Sequence, residues 1–351
     1  MKVVIGMSGG VDSSTAAYLL KRDGYEVEGL SFILMEARGR KDPNMCCSAQ
    51  AVEEAAETAR LIGIKHSSLD VRAEFMEQVV EPFISAYSKG ITPNPCILCN
   101  RHIKFPFLLR EAEKRGADFI STGHYAQVRS GPVGALLIKG IDPKKDQSYA
   151  LYVLRQEELS RLILPLGNFR KEQVRAMARE FGLPASERPE SQEICFVGEG
   201  RYASFIGSLA PGKEGPILDM KGNEIGKHHG IHLYTIGQRK GLGISSPHPL
   251  FVVKIDPKKN AVYAGTKEMA FRREFPVGSL NRLIPQKKDF RAGVKVRSMM
   301  KDEPATVYAL DNGKVKVVYD EPQWAPAPGQ SAVFYDGDIV IGGGVIEEIM
   351  E

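Results

Sequence analysis

Short apolar runs alternate with amphipathic helical stripes over roughly the first 124 residues of this 351-residue chain. This alternation is typical of an α/β domain with a mainly parallel sheet. The runs are VVIGM at 3–7, VEGLSFIL at 27–34, HSSLDV at 66–71 and DFISTGH at 118–124. The helical stripes between them consist of Val52, Ala55, Ala56, Ala59 and Ile62, and of Phe75, Val79, Val80, Phe83 and Tyr87. We therefore predict an N-terminal α/β domain with a Rossmann-like parallel sheet.

The pattern changes after Pro211, where glycine-rich short strands replace predicted helices. Residues 146–207 are mostly helical in pattern, and one helix ends near Gly182. An Asp-Asn-Gly turn at 311–313 between two alternating runs is a strong hairpin signal. We expect a catalytic domain at 1–207, a small β-rich central domain at 208–274 and a C-terminal β-barrel at 275–351.

Composition and cysteine count exclude several classes of protein. Hydrophobic residues make up 43% and charged residues 26%, near the globular average, so disorder, collagen and coiled coil are disfavoured. No apolar run is long enough to span a bilayer and no signal-peptide pattern is present, so we expect a cytoplasmic protein without a membrane partner. The five cysteines are odd in number, which disfavours a structural disulfide framework. Catalysis, metal binding and simple burial remain open for them.

The segment SGGVDSS at 8–14, called here the nucleotide loop, follows the first predicted strand directly. Two adjacent glycines permit a sharp turn and a close approach to a ligand. Ser13 and Ser14 are expected to begin a helix whose free N–H groups suit a phosphate anion. The loop is not a Walker A motif, because Val11 and Asp12 follow the second glycine instead of Lys and Ser or Thr. The alternative is an ordinary strand-to-helix turn.

Two cysteines, Cys96 and Cys99, lie in TPNPCILCNRHIKF at 92–105, and Cys195 lies in SQEICFVGE at 191–199. The prolines predict an extended approach to a helix beginning near Ile97. A thiol near a helix N-terminus is shifted toward thiolate, so Cys99 is a candidate nucleophile. One CxxC without a second pair is moderately specific, and the alternative is that these cysteines are small buried hydrophobes.

Positive charge is concentrated in one C-terminal segment. The formal net charge is only +4, yet seven basic residues and one acid, Asp289, lie between Arg282 and Lys301. Such a stretch is either a solvated basic face or a surface that contacts a phosphate backbone.

The nucleotide loop resembles the pyrophosphate-binding loop of the ATP pyrophosphatase superfamily. Members of that superfamily split ATP between its α and β phosphates and adenylate a substrate. The resemblance implies that Asp12 helps to hold Mg²⁺ against the phosphates, and hard oxygen ligands are what Mg²⁺ prefers.

Motifs along nearly the whole chain are similar to those of the bacterial tRNA-specific 2-thiouridylase family, which thiolates the wobble uridine of certain tRNAs. The motifs are GMSGGVDSS, TPNPCILCN, STGHY, KDQSY, SQEICFVGE, IGQRKGLGI and PGQSAVFY, between Gly6 and Tyr335. This resemblance implies an ATP pyrophosphatase domain, a small central domain and a C-terminal β-barrel. It also implies an ATP site formed by Gly6, Met7, Ser8, Gly9, Gly10, Val11, Asp12, Ser13, Phe32 and Gly123.

The same resemblance implies roles for two cysteines. Cys99 matches the family nucleophile and Cys195 matches the cysteine that carries a persulfide. Adenylation of the uracil C2 oxygen would make C2 electrophilic, persulfide sulfur would attack it, and AMP would leave. Cys99 would release the sulfur and leave a Cys99–Cys195 disulfide that a reductant reopens. A sulfur donor protein, either a persulfide relay or a cysteine desulfurase, is the implied partner.

Cys96 departs from the best-known family pattern, which has an aspartate at this position as the proposed acid/base. One interpretation leaves Cys96 at that acid/base position. The other makes Cys96, Cys99 and Cys195 the ligands of a 4Fe-4S cluster, because thiolates are the standard ligands of such clusters. We assign no function to Cys46 and Cys47.

Recognition of tRNA is also carried over from the family. The matching positions are Asn94, Pro95, Cys96, His124, Lys145, Asp146, Gln147, Arg297, Ser298 and Gln330. Ser298 replaces an aromatic residue of the family. A second basic cluster is a candidate contact for the acceptor arm or the D stem of the tRNA. It contains Lys227, His228, His229, His232, Arg239 and Lys240. With no acids or cysteines nearby in the sequence, we expect no zinc there.

Two alternatives to a tRNA thiolase stay open on the sequence. One is another member of the ATP pyrophosphatase superfamily, such as an amide-forming synthetase in which the cysteines are incidental. The other is an iron-sulfur or sulfur carrier that binds RNA without turnover.

Overall fold

The computed structural model describes residues 1–35, 49–187, 196 and 212–348. Three cysteines of the sequence analysis, Cys46, Cys47 and Cys195, lie outside these residues. Within the described part of the chain, no helix combines the length and the apolar character needed to cross a membrane.

Helices and strands are interspersed in the described part of the first 187 residues. In chain order they are β1 Lys2–Gly6, α1 Val11–Arg22, β2 Glu26–Ile33, α2 Ala49–Ile62, β3 Lys65–Asp70, α3 Arg72–Phe75, α4 Glu81–Ser88, α5 Pro95–Cys99, α6 Phe105–Lys114, β4 Phe119–Ser121, β5 Ala126–Gly131, β6 Gly134–Lys139, α7 Ser148–Leu151, α8 Gln156–Ser160, β7 Leu162–Ile163 and α9 Lys171–Glu180.

Strands dominate residues 212–348. They are β8 Gly215–Leu218, β9 Glu224–His228, β10 Phe251–Asp256, β11 Ala261–Gly265, β12 Phe271–Arg282, β13 Phe290–Lys295, β14 Glu303–Ala309, β15 Val315–Trp324, β16 Ser331–Asp336 and β17 Ile339–Ile346.

Contacts divide the chain into two compact units. Within the described residues, the first comprises Met1–Val79, Pro95–Glu199 and Asp338–Ile341. The second comprises Val80–Asn94, Gly200–Gly337 and the remainder from Gly342.

The first unit contains a five-stranded sheet in the order β3-β2-β1-β4-β7. Every neighbouring pair is parallel. Val3, Val4 and Ile5 of β1 have no exposed surface, because helices cover both faces of a parallel sheet. The predicted α/β fold is confirmed. Three of the four predicted strands lie within one residue of their expected ends, and the fourth, β4, ends three residues earlier than expected. The two-residue edge strand β7 was not predicted, since so short a run has no clear alternation.

Two helical segments widen into a π-helical turn just before a proline. The turn Met76–Val80 precedes Pro82, and the turn Asn100–Lys104 precedes Pro106. A proline nitrogen cannot donate to the carbonyl four residues earlier, and its ring clashes with that carbonyl. Widening of the preceding turn relieves the clash, so the chain stays helical from Pro95 to Lys114.

The second unit contains a sheet in the order β10-β11-β8-β9 and a closed barrel. The barrel strands follow the order β12-β15-β14-β13-β16-β17, and β12 pairs with β17 to close it. The Asp-Asn-Gly turn joins β14 and β15, which are antiparallel, so the predicted hairpin is confirmed. The predicted β-barrel is also confirmed.

Candidate active site

The nucleotide loop connects β1 to α1 at the carboxyl end of the parallel sheet. Gly10 is the N-cap, and α1 begins at Val11, two residues earlier than expected. Gly9 has a φ of +72°, and a β-carbon there would lie 2.5 Å from the carbonyl oxygen of Ala51. Only glycine therefore fits this turn without moving the backbone.

Serine hydroxyl groups hold the loop in shape. Ser13 Oγ accepts the Ser8 N–H at 3.1 Å and donates to the Gly10 carbonyl at 3.2 Å. Two neighbouring hydroxyls, those of Ser14 and Ser121, are buried without a hydrogen-bond partner among the described residues. Buried hydroxyls of this kind call for a polar ligand or water, because an unsatisfied buried donor costs free energy.

Gly123 brings the end of β4 against the start of α1. A β-carbon at Gly123 would lie 2.7 Å from both Asp12 C and Ser13 N. Strands β1 and β4 pair in parallel, and the strand order reverses between them. This reversal is the switch point at which open α/β sheets bind ligands.

The Asp12 carboxylate accepts hydrogen bonds from two side chains, those of Lys171 and Tyr125. Lys171 Nζ lies 2.7 Å from Asp12 Oδ1 and 2.8 Å from Oδ2, and the Tyr125 hydroxyl donates to Oδ1 at 2.6 Å. Lys171, at the start of α9, is only 8% exposed. The sequence analysis missed Lys171 and Tyr125, because nothing in either local pattern links them to a loop more than 100 residues away.

His124 lies beside this loop and is half-buried. Its Nδ1 is 2.7 Å from Thr122 Oγ1, and its ring stacks on Phe105 at a centroid distance of 5.9 Å. Burial lowers the pKa of His124 well below its usual value, and Lys104 lowers it further. The imidazole is therefore neutral at pH 7, and it interacts by hydrogen bonding and ring stacking rather than by charge.

The segment at 145–147 hydrogen-bonds to its own surroundings. Asp146 Oδ1 accepts the N–H groups of Gly140 and Ser148, at 3.1 and 3.0 Å. Gln147 Oε1 accepts the Tyr125 N–H at 2.9 Å, and the Gln147 N–H donates to the Tyr125 carbonyl at 2.9 Å. These bonds fix the position of Tyr125, whose hydroxyl reaches Asp12.

The helical stretch at 95–114, called here the cysteine helix, begins at Pro95. The expected start near Ile97 was therefore wrong. Proline is well tolerated in the first helical turn, where its missing N–H has no intrahelical partner. Cys96 lies in the first turn and is exposed, whereas Cys99 lies at the end of α5 and is buried. Asn100 follows, and its Nδ2 donates to the Ala150 carbonyl at 3.0 Å.

Other predicted site residues lie in the second unit. Gln330 Nε2 donates to the Thr92 carbonyl at 2.9 Å, and Arg297 Nη2 donates to the carbonyls of Ile236 and Ala325 at 2.8 and 3.1 Å. Ser298 is exposed and Asn94 half-buried. The first unit holds Phe32, half-buried on β2, and Pro95, buried at the start of α5.

The basic stretch is only partly a solvated face. Arg282, Lys287, Lys288 and Lys301 are exposed, whereas Lys295 is 6% exposed. Arg291 forms a bidentate pair with Asp320, with both distances 2.6 Å. That pairing holds the pKa of the Asp320 carboxyl below its usual value.

The expectation that no acid lies near the histidine cluster was wrong. Glu214 Oε1 is 2.8 Å from His229 Nδ1. His228 is fully buried, accepts the Gly230 N–H at its Nδ1, and has its Nε2 3.0 Å from the Asn260 carbonyl. Burial lowers the pKa of both His228 and His232. The described residues contain no group of three or more His, Cys, Asp or Glu side chains arranged to hold a metal ion.

Three domain models match the chain in order. They are a tRNA methyl transferase HUP domain over residues 1–199, a tRNA methyl transferase PRC-barrel domain over 203–266 and an aminomethyltransferase beta-barrel domain over 272–346. The parallel sheet, the nucleotide loop and the first match together define a protein with a HUP-type α/β domain.

Full-length relatives narrow this class to one family. The chain is 45% identical to a tRNA-specific 2-thiouridylase MnmA of Clostridium botulinum over 99% of this chain and 98% of that protein. It is 45% identical to that of Clostridioides difficile and 44% to that of Halothermothrix orenii, again over 99% of this chain and 98% and 99% of theirs. The chain belongs to the tRNA-specific 2-thiouridylase family. A solved 4-thiouridine synthetase in complex with RNA matches with a TM-score of 0.37 at 20% identity, covering 57% of this chain and 46% of that one, too weakly to add to this assignment.

Proposed function

We propose that this protein is a tRNA-uridine 2-sulfurtransferase that uses ATP to thiolate C2 of the wobble uridine. The observation that carries the proposal is the nucleotide loop at the switch point of a parallel sheet, in a chain 45% identical over 99% of its length to a 2-thiouridylase. We propose the domain bounds 1–207, 208–274 and 275–351 and a cytoplasmic location with it.

In the first step the uracil O2 attacks the α-phosphorus of ATP. The O2–P bond forms, the bond to the β-phosphate oxygen breaks, and pyrophosphate leaves. The nucleotide loop suits the phosphates, because Gly9 and Gly10 lead into the N-terminus of α1 and the buried Ser14 hydroxyl has no partner in the described chain. Gly123 allows the close approach that this geometry needs. Phe32 and the rest of the Gly6–Ser13 segment complete the proposed ATP site.

The loop also offers a hard oxygen ligand for Mg²⁺. Asp12 stands in the first turn of α1, and its carboxylate suits this ion. Bound Mg²⁺ would neutralise charge that develops on the phosphates. In the structure both Asp12 oxygens accept hydrogen bonds from Lys171, so a metal ion would share or displace that contact.

In the second step sulfur replaces the activated oxygen. The terminal sulfur of a Cys195 persulfide attacks C2, and the C2–O bond to AMP breaks. The Cys99 thiolate then attacks Cys195 Sγ, which forms a disulfide and releases the 2-thiouridine. An external reductant reopens the disulfide, and a sulfur donor protein reloads Cys195. Cys99 is buried next to the π-helical turn, which shields it from adventitious oxidants.

Exposed Cys96 supports a second version of this step. Cys96, Cys99 and Cys195 would hold a 4Fe-4S cluster, whose open iron position would supply inorganic sulfide in place of the persulfide. Cys96 and Cys99 are three positions apart in one helix, a spacing at which side chains share a face. If no cluster forms, Cys96 occupies the acid/base position of the family.

The tRNA contacts proposed from the family divide between both units. Asn94, Pro95 and Cys96 are proposed to face the flipped base, and His124, Lys145, Asp146 and Gln147 are proposed as further tRNA contacts. Arg297, Ser298 and Gln330 are proposed as contacts from the second unit. Exposed Lys287 and Lys288 make the basic stretch suitable for phosphate contact.

The decisive experiment is single-turnover thiolation of a tRNA transcript with ATP, with AMP, pyrophosphate and 2-thiouridine measured together. Equal amounts of the three products are expected, and Asp12→Ala should abolish all of them. AMP release without tRNA would indicate a different superfamily reaction, and thiolation that survives Asp12→Ala in cells would indicate a carrier.

Anaerobic purification separates the two sulfur routes. Near-stoichiometric iron and acid-labile sulfide, lost together with activity in Cys96→Ala, would support the cluster. Absence of iron, with persulfide-dependent activity retained in Cys96→Ala, would support the relay through Cys99 and Cys195.

A further inference from the structure

One lysine is bound to the nucleotide loop from a distant part of the chain. Lys171 is 159 positions from Asp12, yet its Nζ contacts both carboxylate oxygens of Asp12, at 2.7 and 2.8 Å. The Lys171 side chain is only 10% exposed. The ammonium also lies 5.7 Å from the centre of the Tyr125 ring, within range of a cation–π interaction.

Stability alone is a weak reason for this ion pair. Lys171 loses most of its contact with water, whereas the Asp12 side chain is still 35% exposed. The cost of removing the ammonium from water offsets much of the attraction, and solvent screens the rest, so the pair contributes little to stability. The pair also lies at the switch point of the sheet, beside the free N–H groups of α1, where a polyanion is expected to bind. A positive charge at this place therefore has a use in binding a polyanion, whereas packing alone does not explain it.

The main chain of Lys171 is anchored separately from its side chain. The Lys171 N–H donates to Asp142 Oδ2 at 3.0 Å, and Asp142 Oδ1 accepts the Lys144 N–H at 3.0 Å. The start of α9 is therefore held by Asp142 whatever the ammonium contacts. The flexible methylene stem of Lys171 can redirect its charge over several ångströms without moving the helix.

We propose that Lys171 is a phosphate-binding residue and that Asp12 holds its ammonium in position until ATP arrives. This inference rests on the proposed use of ATP and names a further residue of that site. The polyphosphate carries more negative charge than one carboxylate, so the ammonium transfers from Asp12 to phosphate oxygens. The transfer frees the Asp12 carboxylate for the divalent cation. One exchange thus provides both a lysine for the phosphate oxygens and a carboxylate for the cation.

The exchange predicts discrimination between nucleotides. A lysine that binds the β and γ phosphates strengthens the binding of ATP and leaves AMP almost unaffected. A lysine that only stabilises the fold affects both nucleotides alike, because both depend on the same loop. The ratio of the two dissociation constants therefore separates a ligand contact from a structural one.

The test is calorimetric titration of the full chain with ATP and with AMP in the presence of Mg²⁺, without tRNA. In Lys171→Met we expect ATP to bind about 30-fold more weakly, as for the loss of a charged hydrogen bond, and AMP to change by less than about 3-fold. Lys144→Met is the matched control, since Lys144 is an exposed lysine on the neighbouring loop, and it should change neither constant.

Equal weakening of both nucleotides in Lys171→Met, or no weakening of ATP, would overturn the proposal. Lys171→Gln keeps a donor for Asp12 without the charge and gives the same comparison if the methionine variant does not fold. The thiolation assay on wild-type protein is separate. ATP-dependent thiolation combined with an unchanged ATP preference in the variant would refute the role of Lys171 and leave the proposed function intact.

Discussion

The nucleotide loop and the cysteine helix belong to the same unit but are built in opposite ways. The loop is shaped by the backbone: Gly9 lies tightly against Ala51, Gly123 packs tightly against the loop, and serine and aspartate groups of the loop are already hydrogen-bonded. The cysteine helix carries its chemistry on side chains, with Cys96 exposed and Cys99, three positions later in the same short helix, buried. The difference teaches that nucleotide binding and sulfur transfer can be damaged separately.

The largest expected effect is confined to the cysteine helix. Cys99→Ser should lower single-turnover thiolation by about 1,000-fold or more, because a hydroxyl is a far weaker nucleophile than a thiolate. Its affinity for ATP should be unchanged, as titration with ATP would show. A parallel loss of ATP affinity would contradict the separation of the two regions.

The next effect is confined to the loop. In Gly123→Ala the new methyl group would lie 2.7 Å from backbone atoms of Asp12 and Ser13, so the start of α1 must shift. We expect about 100-fold weaker ATP binding, because phosphate contacts depend on backbone geometry within a fraction of an ångström. Iodoacetamide labelling of Cys96 should proceed at the wild-type rate. A changed labelling rate would show that the two regions are coupled.

A third change tests how strongly the loop depends on glycine. Gly9→Ala combines a φ of +72° with a 2.5 Å contact to the Ala51 carbonyl oxygen. We expect the free energy of unfolding to fall by about 2 kcal/mol in urea titrations. Gly24→Ala is the matched control, because Gly24 has a φ of +87° and no atom near the added carbon. The control should lose about 1 kcal/mol. Equal losses in the two variants would mean that the backbone near Ala51 moves away from the added methyl group at no cost in stability.

The smallest effect concerns His124, whose ring stacks on Phe105 of the cysteine helix and whose Nδ1 lies 2.7 Å from Thr122 Oγ1. Burial holds the pKa of His124 well below that of the unfolded chain. Below about pH 6.5 the unfolded chain binds a proton that the folded protein excludes, so stability falls as the pH falls toward the folded pKa. Wild type should lose up to about 1.4 kcal/mol per pH unit more than His124→Asn in this range. Identical pH dependence of unfolding in the two proteins would contradict a neutral, desolvated imidazole.

The sequence predicted the strands and helices around the nucleotide loop better than it predicted the cysteine helix. The four parallel strands, the amphipathic helices and the C-terminal hairpin follow from local periodicity and turn residues, which act over a few positions. The start of the cysteine helix was misplaced, because Pro95 was interpreted as part of an extended approach although it fits the first helical turn. The π-helical turn after Cys99 is explained by Pro106, and a second π-helical turn precedes Pro82 in the same way. A proline inside a helical pattern could therefore have been used to predict both turns.

By itself the sequence determined which chemical groups are present: a glycine-serine loop after a strand, and thiols at a spacing of three. Tertiary structure alone decided which groups meet. Lys171 reaches Asp12 across 159 positions because a parallel sheet gathers the ends of distant strands and helices at one edge. Tertiary structure also decided that Cys96 is exposed and Cys99 buried. Burial depends on which elements pack against a helix, and the local sequence pattern does not specify those elements.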